Sequence, residues 1–164
     1  MATTTVNGDV QTGSTFQYTN RVILPEDVVS TTSYADLTGP DGGTLQFYVK
    51  AGNVYRFRLT VMTTCAATTD GHAVSINGPA SPTFLAYTSV QPTGAATEVV
   101  TNAAAYNLPA AQTTTTAATA GNIHTITGVI QPSTSGMLTG RLIADNTSVV
   151  AKGFLSSIEW ARIG

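Results

Sequence analysis

The sequence predicts an all-β fold: an antiparallel β-sandwich or jelly-roll-like domain. Three observations predict it. Val54–Met62 alternates strictly, with Tyr55, Phe57, Leu59 and Val61 on one face and Arg56, Arg58 and Thr60 on the other. That is the period of a half-buried strand. Roughly eight to ten short apolar runs recur along the chain, separated by Gly, Pro and Asn turn signals at sandwich or barrel spacing. Threonine is abundant, and its branched Cβ suits a pleated surface better than a helical turn. The 164 residues suit one domain with a real core, and 42% hydrophobic content excludes a disordered chain.

Residues 1–20 (MATTTVNGDVQTGSTFQYTN) are polar, without helical period, and read as an extended N-terminal arm. Its few anchors are Val6, Val10, Phe16 and Tyr18. They are expected to contact a partner surface, by adding a strand to an exposed sheet edge. The sandwich domain is expected over 21–164. It opens with a short strand, Arg21–Leu24, stopped by Pro25. Ser33–Leu37 is a second segment, and Gly39-Pro40-Asp41-Gly42-Gly43 is a turn. Leu45–Lys50 alternates and is followed, after Ala51-Gly52-Asn53, by the Val54–Met62 strand; this spacing predicts a β-hairpin. His72–Ile76 and Thr83–Tyr87 are further strands. The Ala- and Thr-rich stretch 93–122 predicts one strand, Glu98–Tyr106, and a long loop. Ile123–Ile130, Met137–Ile143, Ser148–Ala151 and Phe154–Ile163 complete the set.

Candidate chemistry is sparse. His72 and His124 are the only histidines, each in a strand, with no metal-binding or protease spacing, and they read as solvent-facing or structural residues. No Gly-x-Ser-x-Gly elbow is present and no carboxylate pair stands out. Gly39–Gly43 lacks the Lys-Ser/Thr of a phosphate loop, and Asp41 and Asp70 lack the spacing of a calcium-binding loop. Asn146-Thr147-Ser148 fits a glycosylation sequon. Met1–Val10 has neither a basic nor an apolar region, so no signal peptide is expected, and the sequon then carries no meaning. The single Cys65 excludes an intrachain disulfide and reads as a small buried hydrophobe. No catalytic residue, cofactor or metal site is expected, so the chain does not read as an enzyme. Seven basic residues and a net charge of −2 argue against nucleic acid as a partner, and no apolar run approaches a membrane span.

Charged residues make up only 10% of the chain, against roughly 25% in an ordinary soluble domain. Such a surface can pack against copies of itself without burying unpaired ions, so it suits a subunit of a repetitive assembly. Arg56, Arg58 and Arg141 are candidate interface residues; the alternative is that they are solvated strand-face charges.

The order of motifs resembles a family of tailed-bacteriophage virion domains. The matching pieces are Tyr34-Ala35-Asp36-Leu37-Thr38-Gly39 and the run from Leu45 to Phe57 (LQFYVKAGNVYRF). Asp70–Ala80 (DGHAVSINGPA), Gly128–Ser133 (GVIQPS) and Gly136-Met137-Leu138 follow. The resemblance covers Val22 to Ile163 and implies a β-sandwich of the head-decoration, head-fibre or tail-tip type, commonly trimeric. It implies a structural protein on the capsid surface that stabilises the head. Its partners would be other copies of itself and the major capsid protein or another virion protein. The alternative is a receptor-binding module of a tail or head fibre, in contact with a host surface glycan. Size, and the lack of a coiled coil or fibrous shaft, favour decoration.

Overall fold

The computed structural model describes residues 19–94, 96–110 and 115–164. They form twelve strands and no helix. The strands are β1 (Asn20–Ile23), β2 (Val28–Val29), β3 (Ala35–Asp36), β4 (Gln46–Val49), β5 (Tyr55–Thr64) and β6 (His72–Asn77). Then come β7 (Phe84–Gly94), β8 (Thr97–Ala103), β9 (Asn122–Gln131), β10 (Gly136–Ala144), β11 (Val150–Ala151) and β12 (Ser157–Arg162). An eight-stranded sheet runs β1-β12-β5-β9-β7-β8, with β11 beside β5 and β2 beside β11. A four-stranded sheet has β10 at its centre, with β3 and β4 along one side and β6 along the other. Every strand pairing is antiparallel.

Both sheets contribute to one buried cluster. The large sheet supplies Tyr55, Phe57, Leu59 and Val61 from β5, and Ile126 and Ile130 from β9. The small sheet supplies Phe47 and Val49, Val74 and Ile76, and Leu138 and Leu142. The alternation of β5 therefore turns one face into the core, as its sequence predicts. Trp160 on β12 stacks on Phe47 of β4, with centroids 4.5 Å apart and planes 10° apart, so an aromatic pair ties one sheet to the other.

One expectation is overturned. Leu45–Lys50 and Val54–Met62 are not the two arms of a hairpin. β4 pairs with β10 in the small sheet, and β5 pairs with β9, β11 and β12 in the large one. The turn between them is a corner from sheet to sheet. Gly52 sits at φ 81° there and donates its N–H to the Pro132 carbonyl, while Lys50 N–H donates to the Tyr55 hydroxyl. Two strands facing the same core alternate identically whether they lie side by side or opposite each other, so periodicity does not separate the cases.

Several boundaries also move. The strand at Thr83–Tyr87 continues to Gly94 through Pro92, where β7 has left β9 and pairs with β8 alone across a register shift. Proline is tolerated at that bulge because no second neighbour needs its N–H. The last strand starts at Ser157, because Phe154 stands at φ 58° in the preceding turn. The segment at Ser33–Leu37 contributes only Ala35–Asp36 to a ladder, and the boundary drawn at residue 21 falls inside β1.

Candidate functional site

Two places combine unusual chemistry with definite geometry. The first is the polar end of the core. On β5 and β9 the inward parity that carries Tyr55 to Val61 and Ile126 to Ile130 also carries Thr63 and His124 into the interior. His72, the first residue of β6, meets them from the small sheet. The two Nε2 atoms lie 2.8 Å apart, and the Thr63 hydroxyl is 2.9 Å from His72 Nε2 and 3.2 Å from His124 Nε2. The rings meet edge to face, with centroids 4.7 Å apart. Thr63 and His72 are wholly buried and His124 is 1% exposed, so no substrate reaches the cluster from solvent.

Burial works against the charged form of both rings. It pushes the His72 pKa down, against a hydrogen bond to the Asp70 main chain and the charges of Asp145 and Asp70. Burial pushes His124 down well below the usual histidine range, and the neighbouring His72 adds to the effect. Beside the pair, Asp70 is held in a fixed hydrogen-bond frame. Its oxygens accept from Ser148 Oγ at 2.5 Å, Ala67 N–H at 2.9 Å and Asn146 Nδ2 at 2.9 Å, and these bonds hold its pKa below the ordinary value. Among the described residues no three His, Cys, Asp or Glu side chains cluster as a metal site.

The second place is the outward face of the large sheet. In-register partners place Arg21, Glu159, Arg58, Thr127, Thr88 and Asn102 in one row across six strands. Beside the row, Arg56 lines a groove of about 390 Å³ with Tyr87, Asn102, Gly128 and Val129. Further along β5, Thr60, Met62, Ile123 and Leu155 line an apolar pit of about 190 Å³. Ile123 is 61% exposed and Leu155 60% exposed, so large apolar side chains face water here.

The structure separates the arginines singled out by the sequence. Arg56 and Arg58 lie on the outward face of the large sheet. Arg141 lies on the outer side of the small sheet, where its Nε pairs with Asp36 Oδ1 at 2.9 Å and its guanidinium also donates to Asn107 Oδ1 and the Tyr34 carbonyl. Val6, Val10, Phe16 and Tyr18 lie outside the described residues. Cys65 is buried, its thiol against the Ala118 carbonyl. The histidine pair was missed in the sequence: parity marks His124 and Thr63 as inward, but no local signal says that His72 meets them from another sheet.

Comparison with family models, curated proteins and solved structures returns no match. The likeness to phage virion domains therefore rests on the quoted motifs alone.

Proposed function

We propose that this chain is a structural virion protein of a tailed bacteriophage, a decoration protein that clamps neighbouring capsid subunits. In this reading the two antiparallel sheets form a sandwich that closes with rotational symmetry as a trimer. The observation that carries the reading is the outward face of the large sheet. It combines a chain only 10% charged with exposed Ile123, Leu155 and Val100, an arrangement suited to repeated protein contacts. A stable contact of this kind buries about 800 Å² per partner.

Light scattering on the purified chain is expected to give a trimer mass at micromolar concentration. Negative-stain images of particles carrying terminally labelled chain are expected to show label over the head. A monomer that fails to bind heads, or label confined to the tail, overturns the reading.

A second reading, a fibre or tail-tip module that contacts host glycans, is favoured by one observation. Tyr48 is 57% exposed, Phe84 51% and Phe154 76%. Exposed rings stack on sugars. Glycan-array binding lost in Tyr48→Ala or Phe84→Ala would select this reading over decoration.

A further inference from the structure

The sheets meet through dispersion along most of the core, but at one end they meet through the hydrogen-bonded cluster of His72, His124 and Thr63. His72 belongs to the small sheet, and His124 and Thr63 to adjacent strands of the large one. We propose that the His72–His124 pair is an acid-labile clasp between the two sheets, closed only while at least one imidazole is neutral.

The geometry requires it. A hydrogen bond between two Nε2 atoms 2.8 Å apart needs one ring to donate and the other to accept. Once both rings are protonated neither Nε2 can accept, and two N–H groups and two positive charges stand face to face. Thr63 Oγ1, close to both nitrogens, and the Asp70 main chain beside His72 do not offset two buried charges, and solvent is shut out. The charged groups around the pair are Asp70, on the turn before β6, and Asp145, after β10. Both act on His72, and both are already engaged: Asp70 by Ser148, Asn146 and Ala67, and Asp145 by the Gly71 N–H at 2.8 Å. β7, β9 and residues 115–121 bring no charged side chain other than His124 itself. Arg56 and Arg58 of β5 lie on the opposite face, and Arg141 of β10 is paired with Asp36. The depressed ionisation of both rings agrees with this picture.

The sign follows from linkage. The unfolded histidines titrate near about 6.5, and the folded ones lower. The stabilisation is fully present above that value and is lost as pH falls below it. The unfolding constant rises about tenfold per pH unit for each proton the folded state excludes, and the pair excludes at least one.

The test is urea unfolding of the full chain between pH 8 and 5, on wild type and His124→Gln, where glutamine keeps a polar group that does not titrate. From pH 6 to 5 the folding constant of the wild type is expected to fall about tenfold further than that of the variant, which lacks the His124 site. Proton NMR of the folded wild type is expected to show neither ring titrating near 6.5, and this result stands even if the variant does not fold. Equal pH slopes in the two proteins overturn the clasp, as does a folded-state ring midpoint near 6.5. A melting temperature raised by zinc and restored by chelator also overturns it, since the pair would then be a metal site.

Discussion

Gly128 shows how tightly single positions are set. It lies between Phe57 of β5 and Tyr87 of β7, in register with both, on the inward face. A Cβ at this position would fall 2.5 Å from Tyr87 Cβ, 2.7 Å from the Ala86 carbonyl oxygen and 2.8 Å from Phe57 Cζ. Two large rings are thus accommodated side by side only because the residue between them has no side chain. Gly128→Ala is expected to destabilise by about 1–3 kcal/mol through overpacking, since one of the atoms it meets is backbone. Urea unfolding should show a lower midpoint at unchanged slope. A change below about 0.5 kcal/mol, the ordinary range for an unconstrained surface site, would refute the packing argument. In the sequence, Gly128 carries the inward parity of Ile126 and Ile130, but parity does not reveal that its neighbours on both sides are aromatic.

At the scale of elements, strand existence was legible and strand partnership was not. The alternation in β5, β9 and β10 follows from sequence because one face of each meets the core. Which sheet receives a strand depends on contacts far along the chain, as the β4–β5 corner shows. The edge of β6 is another case. Its unpaired side faces β7, and the gap is bridged by one side chain: Gln91 accepts from Val74 N–H at 3.3 Å and donates to the Val74 carbonyl at 3.1 Å and to Ser89 Oγ at 2.9 Å. The amide thus takes the place of a neighbouring strand, and Gln91 is only 1% exposed. A glutamine beside a proline reads as loop in sequence, so nothing local marks it as a core residue. Gln91→Leu keeps the volume but leaves a buried N–H and C=O without partners, at about 1–3 kcal/mol for each. Hydrogen exchange at the Val74 amide should accelerate in step with that loss. Unchanged protection at Val74 would mean that the bridge contributes nothing.

For the whole molecule, the proposed decoration role turns on how the body would be held to a particle. The buried hydrophobic side chains of the described core all lie at Leu24 or beyond, and both sheets reach that core through β1 to β12. β1 is an edge strand that pairs only with β12, so one side of Asn20–Ile23 presents backbone groups without a ladder partner among the described strands. The eighteen residues before Thr19 carry a single charged side chain, Asp9, and are rich in Thr, Val and Gln. Such a segment can form strand hydrogen bonds when an edge is offered, at an ordering cost of roughly 1–2 kcal/mol per residue. Its apolar anchors, Val6, Val10, Phe16 and Tyr18, are the groups that would offset that cost on a capsid or neighbouring subunit. Deleting residues 2–18 is therefore expected to leave the melting temperature of the body within a few degrees of wild type while weakening co-sedimentation with particles at least tenfold. The quadruple substitution of Val6, Val10, Phe16 and Tyr18 by serine should reproduce most of that loss, because the anchors rather than the length supply the binding energy. If the truncated chain still saturates particles with unchanged affinity, attachment runs through the outward face of the large sheet instead, and Ile123→Asp combined with Leu155→Asp should then abolish it.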